Sequence, residues 1–224
     1  MSLCRAVHTV VVARPRLRGV SHQYAFFCSV VLAVVTVCMA PTTRAAIAAG
    51  VHSASVANLF GVSALFHRIT WSANARRWMG RFDHAAISLL IAGTFTPFGL
   101  LALSGTFAVV LLATVWSGAL AGIGLHVLWI DAPKWLSAIV YVVIGWTGVI
   151  AMPQLLVNVG WAPTALLLVG GLLYSAGAVV YAIRRPDPVP AVFGYHEVFH
   201  LLVILAVIAH WAAIAFWLLP HHAA

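Results

Sequence analysis

Seven apolar segments of membrane-spanning length constrain the fold of this chain more than any other feature. They lie near residues 24–41, 45–67, 83–104, 106–129, 135–156, 162–183 and 195–219. About 20 consecutive apolar residues cross a bilayer as one helix, and a helix satisfies its own backbone hydrogen bonds where there is no water. The sequence therefore predicts an all-α membrane protein, built as a bundle of seven transmembrane helices.

Composition excludes a soluble domain of this length. Only 7% of the 224 residues are charged and 63% are hydrophobic, whereas about a quarter of a typical soluble domain is charged. Such a chain lacks the polar side chains that a water-facing surface needs. We expect one membrane domain over residues 24–219, preceded by a basic cytoplasmic tail over 1–23 and followed by a short tail over 220–224.

The positions of the basic residues predict how the bundle is oriented. If the N-terminus is cytoplasmic, eleven of the twelve Lys and Arg residues fall on the cytoplasmic side and only Arg44 lies outside. Positive charge is retained in cytoplasmic loops, so we expect a cytoplasmic N-terminus and an outer C-terminus. The net charge of +8 then reflects membrane topology, and we expect no nucleic-acid partner. The arginines before the first segment also fit a cleaved signal peptide, but the charge count favours a membrane anchor.

Two histidines stand at the start of the seventh segment, in the stretch HEVFH over residues 196–200. This spacing reads H-E-x-x-H, which in zinc metalloproteases places two histidine ligands on one helix face beside a glutamate base. Under the predicted topology, the second segment ends at the same membrane face with His67, one helical turn after Ser63. Asp83 opens the third segment at that face. Polar residues from three segments are thus predicted to converge at one depth.

Three imidazoles at one depth would form a metal site. His67, His196 and His200 would leave a fourth tetrahedral position open for water, which is the arrangement of a catalytic zinc site. Asp83 would accept a hydrogen bond from that water or act as general base, and Ser63 would orient His67 or the water.

The other histidines are expected to be structural. With eleven histidines in the chain, an H-x-x-x-H pair also arises by chance, and a histidine at a helix end is often an interfacial residue. His52 lies near the outer end of its segment, His210 lies too deep in the seventh, and His126 has no partner at helical spacing. His84 points about 100° away from Asp83 on a helix. Those expected in the tails are His8, His22, His221 and His222.

Other interpretations stay open at this point. In an intramembrane metalloprotease, Glu197, the only glutamate of the chain, would be the general base. In a non-enzymatic sensor or receptor, a structural zinc with Asp83 as fourth protein ligand would tie the second and seventh helices together. A metal-free triad of Ser63, His67 and Asp83 would leave the two histidines of the seventh segment without a role. Asp83 would alternatively form an interfacial ion pair with Arg81.

Three blocks of the sequence resemble the signature blocks of the bacterial haemolysin-III-like proteins, which are relatives of the adiponectin and progestin membrane receptors. The blocks are SALFHRITW, GRFDHAAISLLIAGTFTPF and GYHEVFHLLVILAVIAHW, over residues 63–71, 80–98 and 194–211. They match in order, spacing and segment number. The resemblance runs from about the first segment to the end of the chain. It implies a seven-helix, multi-pass protein of the bacterial cell (inner) membrane.

The same resemblance implies a zinc cofactor and a lipid partner. In that family a histidine of helix 2 and two of helix 7 hold Zn²⁺, and these map onto His67, His196 and His200. The helix 3 aspartate and helix 2 serine beside the zinc-bound water map onto Asp83 and Ser63. Because the wider superfamily includes alkaline ceramidases, the implied activity is hydrolysis of an amide or ester bond in a lipid-like substrate from the membrane. The family name also records cytolytic (haemolytic) activity for some members, and the sequence indicates no particular oligomeric state.

Overall fold

The helices of this protein follow the apolar segments, separated by short polar or glycine-containing connections. The computed structural model describes residues 15–129 and 134–221. The described helices are α1 (Val20–Cys38), α2 (Thr43–Arg68), α3 (Ala73–Pro97), α4 (Gly105–Leu128), α5 (Lys134–Trp146), α6 (Met152–Val159), α7 (Trp161–Ile183), α8 (Tyr195–Ala213) and α9 (Leu219–His221). The described residues form no β-strand, apart from an isolated bridge between Val189 and Phe193. Outside the described residues lie 1–14, 130–133 and 222–224, and with them Arg5, Arg14, His8, Asp131 and His222.

Seven helical segments of the described chain are long and apolar enough to cross a membrane. α5, a 3-10 turn and α6 form one of them, over Ile139–Val159, and α8 continues through a π-helical turn (Ile214–Leu218) into α9. Pro97 ends α3 and is followed by a π-helical turn over Phe98–Ala102. The predicted fold class, an all-α seven-helix membrane protein, is confirmed. The orientation of its two ends stays a prediction.

Helix α3 begins earlier than the apolar segment that predicts it. Its first residue is Ala73, ten positions before residue 83, and the Ser72 side chain accepts a hydrogen bond from the Ala75 backbone N–H at 3.4 Å. The added stretch is rich in the helix formers alanine and arginine. Its arginines lower its hydropathy, so hydropathy alone does not include it in the apolar segment. Asp83 consequently lies about three turns inside α3 rather than at its entrance.

Helix α1 also starts before the predicted boundary, at Val20. His22, expected in the N-terminal tail, therefore lies in the first turn of α1 and is 3% exposed. The preceding segment, residues 15–19, donates two backbone hydrogen bonds to the loop between α7 and α8, at 3.0 and 3.1 Å. The N-terminal segment is thus held against the start of α8.

Helices α2, α3 and α8 pack around a shared buried cluster, whose members are Val56, Leu59, Phe60, Ala86, Leu90, Val203 and Val207. Gly93 of α3 allows α3 to approach α2, because a Cβ at this position would lie only 2.5 Å from the Cβ of Ser55. Small residues permit such close helix contacts in membranes. This packing brings the end of α2 and the start of α8 beside the part of α3 that carries Asp83.

Candidate metal centre

Three histidines from distant parts of the sequence converge at one end of the bundle. His67 lies in the last turn of α2, and His196 and His200 lie in the first two turns of α8. One ligand atom from each of the three lies within 4.8 Å of the others, and Nε2 of His67 is 3.2 Å from Nε2 of His196. His200 is the most buried of them, at 2% exposure. The structure thus brings the three predicted metal ligands together.

The segment before α1 packs on His67 from outside α2. Gly19 adopts φ +78°, and a Cβ built on it would lie 2.5 Å from the Cβ of His67. Glycine adopts this left-handed conformation without the steric penalty that other residues incur. The close approach of this segment to His67 therefore depends on a residue without a side chain.

Glu197, the central residue of the H-E-x-x-H pattern, is engaged through both carboxylate oxygens. Its Oε2 accepts a hydrogen bond from the backbone N–H of Gly194 at 2.8 Å, and its Oε1 accepts one from Nε of Arg18 at 2.6 Å. A carboxylate in the first turn of a helix is favoured by the helix dipole, and Glu197 occupies this position in α8. Because both oxygens are occupied, the geometry argues against Glu197 as the general base of a metalloprotease.

Asp83 and Ser63 lie beside the three histidines. Oδ2 of Asp83 is 3.9 Å from Nε2 of His67, and the Asp83 side chain is 16% exposed. The Ser63 hydroxyl, one turn before His67 on α2, interacts with the Asp83 carboxyl group. The alternative partner of Asp83, Arg81, is not paired with it among the ion pairs of the described residues. The Arg81 guanidinium instead lies over the Trp78 ring, 4.1 Å from its centre.

The donor set fits a zinc ion. Zinc binds imidazole nitrogens at about 2.0–2.1 Å, and two ligands of a tetrahedral site are therefore roughly 3.3 Å apart. The 3.2 Å between the Nε2 atoms of His67 and His196 is close to that value. Nδ1 of His200 is buried and has no hydrogen-bond partner within residues 15–129 and 134–221, and burying a polar atom unpaired is costly. Three imidazoles with a carboxylate nearby match the ligands that zinc prefers.

A largely apolar cavity of about 240 Å³ runs from the histidine cluster into the bundle. His200 and Asp83 line one end, and His210 and Thr94 line the other. Ten residues separate His200 from His210 along α8, which corresponds to about 15 Å of helix. The cavity therefore extends along the axis of α8, with polar residues at both ends.

One side of the cavity is lined by residues that are also exposed on the outside of the bundle. Val142, Trp146 and Val149, from the span that contains α5, line the cavity and are also exposed on the outside of the bundle. The Trp146 Nε1–H donates a hydrogen bond to Ser175 Oγ of α7 at 3.0 Å. The cavity is therefore bounded between α5 and α7 by side chains that also contribute to the outer surface of the bundle.

Sequence reasoning missed His22. Its ring stacks on that of His200, with ring centres 3.7 Å apart and 8° between the planes. Within the described part of the chain, neither ring nitrogen of His22 makes a well-formed hydrogen bond, and the side chain lines the cavity. No spacing signal would have found it, because the contact forms between α1 and α8 and His22 has no histidine at helical spacing.

A second hydrogen-bonded group beside Asp83 joins α3, α4 and α5. Tyr141 OH lies 2.9 Å from the backbone oxygen of His84 and 2.5 Å from Nε2 of His126. Because a carbonyl only accepts, Tyr141 donates to His84 and accepts from the Nε2–H of His126. Nδ1 of His84 donates to the Gly80 carbonyl at 2.7 Å. His126, expected to lack a partner on its own helix, has one on α5, and these contacts agree with structural roles for both histidines.

Comparisons with known proteins point to one family. The sequence profile of the family described as Haemolysin-III related matches residues 10–211. Hemolysin-3 of Bacillus cereus is 32% identical over 179 residues, which cover 80% of this chain and 78% of that protein. The Hemolysin-3 homolog of Bacillus subtilis (strain 168) is 38% identical over 146 residues, 65% of each chain.

This chain is also similar to a receptor. The adiponectin receptor protein of Drosophila melanogaster is 29% identical over 177 residues, which cover 69% of this chain and 39% of the receptor. The chain thus matches less than two thirds of the length of that receptor and of the Bacillus subtilis protein. The profile match spans most of the chain and includes all the predicted site residues, from Ser63 to His200. The chain belongs to the haemolysin-III-related family of membrane proteins.

Proposed function

We propose that this protein is a zinc-dependent hydrolase of amide or ester bonds in membrane lipids, located in the bacterial inner membrane with its site at the cytoplasmic end. One observation carries the proposal: three histidines, a carboxylate and a hydroxyl from three helices meet at one end of an apolar cavity. Polar and ionisable residues inside a membrane bundle are costly and mark functional sites. The apolar wall would hold a hydrocarbon chain, and the polar end would hold the group that reacts.

Each residue of the site would have a separate role in hydrolysis. His67, His196 and His200 hold the zinc ion, which when bound supplies a Lewis acid for the substrate carbonyl and makes water more acidic. Asp83 accepts a proton from the attacking water as the water oxygen bonds to the carbonyl carbon. Asp83 then returns this proton to the leaving nitrogen or oxygen as the C–N or C–O bond breaks. Ser63 orients the Asp83 carboxylate through their side-chain interaction.

The substrate class follows from the shape and access of the cavity. A lipid would enter between α5 and α7, where cavity-lining residues such as Val149 are exposed to the bilayer. Its carbonyl would lie at the histidine cluster and its chain would extend toward His210. The products would be a fatty carboxylate and an amine or alcohol, both of which can return to the membrane.

Metal content and turnover of the full-length protein in lipid nanodiscs test the proposal. We expect about one zinc ion per chain and release of fatty acid from a long-chain N-acyl amide or the matching ester. Asp83→Asn should keep zinc and reduce hydrolysis by about a hundredfold or more, because a general base contributes about 10²–10⁴ in rate. His200→Ala should lose both zinc and hydrolysis.

Asp187→Asn is the matched control for Asp83→Asn. Asp187 lies in the loop before α8, and its Oδ1 accepts a hydrogen bond from the Tyr195 backbone N–H at 2.8 Å, which an asparagine oxygen can replace. This control should keep both zinc and turnover. Wild-type protein without zinc, or an Asp83→Asn protein with full turnover, would overturn the proposal.

A second candidate function is a lipid-sensing receptor without turnover, which the similarity to a protein named adiponectin receptor favours. Zinc would then tie α2 to α8, with Asp83 as its fourth ligand. In that case Asp83→Asn would weaken zinc binding and lower the unfolding temperature. The names of the Bacillus relatives raise cytolysis as a further property, which release of haemoglobin from erythrocytes exposed to the purified protein would reveal.

A further inference from the structure

The end of the cavity farthest from the histidine cluster contains polar atoms that the fold does not pair. Thr94 Oγ1, Tyr174 OH and His210 Nδ1 are buried and have no hydrogen-bond partner among the residues that the structure describes. Their residues come from α3, α7 and α8, and all three line the cavity. The whole residues Thr94 and His210 are each 4% exposed. Unpaired polar atoms on three different helices, facing one cavity, point to a ligand group that pairs with them.

The hydrogen bond of His210 Nε2 determines whether its Nδ1 is a hydrogen-bond donor or acceptor. Nε2 of His210 lies 3.1 Å from the backbone oxygen of Leu167, and a carbonyl oxygen only accepts. Nε2 therefore carries a hydrogen, and in a neutral imidazole the free Nδ1 is then an acceptor. The hydroxyl groups of Thr94 and Tyr174 each donate and accept. Donors and an acceptor that face one space are complementary to a group that both accepts and donates, such as an alcohol hydroxyl.

The position of the His210 ring depends on α7. A Cβ added to Gly170 would overlap the His210 ring, so a residue with a side chain there would displace it. The Tyr174 ring lies one turn further along α7, with its centre 5.6 Å from that of His210. The two aromatic groups are thus held together against the cavity by close packing between α7 and α8.

We propose that Thr94, Tyr174 and His210 form a second polar subsite, which binds a hydroxyl group on the hydrocarbon chain of the bound lipid. The inference rests on the proposed function, because it places the lipid carbonyl at the histidine cluster. The separation along α8 is about 15 Å, which an extended alkyl chain spans with roughly eleven carbons. The preferred lipid is therefore one whose chain is hydroxylated about eleven carbons from the carbonyl.

An unsubstituted chain leaves the three polar atoms desolvated and unpaired, whereas a correctly placed hydroxyl pairs them. One net hydrogen bond of this kind is worth about tenfold in affinity. If a bound water molecule paired the same groups instead, a plain chain and a hydroxylated chain would bind equally well. The comparison of plain and hydroxylated chains therefore separates a lipid subsite from a site for water.

The experiment measures binding of three long-chain ketones to the zinc-loaded full-length protein in nanodiscs, by displacement of a fluorescent long-chain amide. The ligands are nonadecan-2-one, 13-hydroxynonadecan-2-one and 6-hydroxynonadecan-2-one, and none has a bond that hydrolysis would break. The 13-hydroxy ketone should bind about tenfold more tightly than the other two. Tyr174→Phe should remove most of this preference, because the ligand hydroxyl then loses one of its three partners.

Tyr24→Phe is the matched control, because Tyr24 lies on α1 with 69% of its surface exposed, and it should keep the preference. Equal affinities for the plain and 13-hydroxy ketones would overturn the subsite, and so would equal affinities for the two hydroxylated isomers. Retention of the preference in Tyr174→Phe would do the same. Zinc content and turnover are measured separately, so a protein that shows the preference but hydrolyses no lipid would reject the proposed function and keep the subsite.

Discussion

At the residue scale, the candidate centre is shaped by residues that touch its histidines. His22 lies flat on His200, and Gly19 lies against His67. Contacts of this kind restrict the rotation of a ligand ring and so orient it toward the metal. Both contacts come from a stretch of four residues at the start of α1. The N-terminal segment is therefore part of the site, although none of the proposed zinc ligands belongs to it.

Gly19→Ala should destabilise the protein and weaken zinc binding. The substitution places a Cβ at a left-handed backbone position, which costs about 1–2 kcal/mol, and drives that Cβ into His67. Gly105→Ala is the matched control, because Gly105 has φ +62° but no atom within 4 Å of an added Cβ. Thermal unfolding in detergent and zinc loss to a chelator measure the two effects. Equal changes in both variants would show that the contact with His67 contributes nothing.

At the element scale, the start of α8 is secured by the segment that precedes α1. Arg18 and Glu197 form an ion pair at 2.6 Å, while Glu197 also accepts a hydrogen bond from Gly194. Because His196 and His200 flank Glu197 on α8, these contacts set the position of the helix turn that carries both histidines. The glutamate of the H-E-x-x-H pattern thus supports the site as a structural group.

Glu197→Gln should lower the free energy of unfolding by about 2 kcal/mol, because a charge-assisted hydrogen bond is lost and Arg18 is left without its partner. Zinc binding and turnover should persist, since a glutamine oxygen can still accept from the Gly194 N–H. Arg18→Gln should lower the free energy of unfolding by a similar amount. The double variant should lower it by less than the sum of the two single variants, because the two residues interact directly. A Glu197→Gln protein that folds and binds zinc but has no turnover would instead identify Glu197 as the general base.

At the scale of the whole molecule, the basic residues and the histidine cluster share one end of the bundle. The ends of α2 and α7 and the starts of α1, α3 and α8 meet there, and they carry or adjoin the described arginines apart from Arg44. Positive charge of this kind is retained in the cytoplasm. The site would then face the inner leaflet, and a substrate would come from the lipids of that leaflet.

Fluorescent-protein and alkaline-phosphatase fusions at each terminus measure this orientation. An N-terminal fusion should report the cytoplasm and a C-terminal fusion the outside, because an odd number of spans places the two ends on opposite sides. Exchange of Arg184 and Arg185 for glutamine should leave the topology unchanged, since the other cytoplasmic arginines still favour it. A cytoplasmic signal from the C-terminal fusion would contradict both the orientation and the placement of the site.

Much of the architecture and the members of the histidine cluster could be predicted without coordinates. Hydropathy is a local property, and a bilayer admits an isolated apolar segment only as a helix, so seven segments predict seven helices. The i, i+4 spacing of His196 and His200 is likewise local, and the predicted topology placed His67 and Asp83 at their depth. Helix boundaries were less predictable, because capping by Ser72 and helix-forming arginines extended α3 beyond its apolar part.

The fold class was predictable because it follows from local hydropathy and from the solvent that lipid provides, and the converging residues were predictable because helical spacing and the basic residues place them at one membrane face. Tertiary structure alone decided how those residues are held and what lies beyond them. The stacking of His22 on His200, the ion pair of Glu197 with Arg18, and the polar end of the cavity at His210 all depend on contacts between distant parts of the chain. Such contacts join residues far apart in the chain, and their geometry is set by how closely the helices pack.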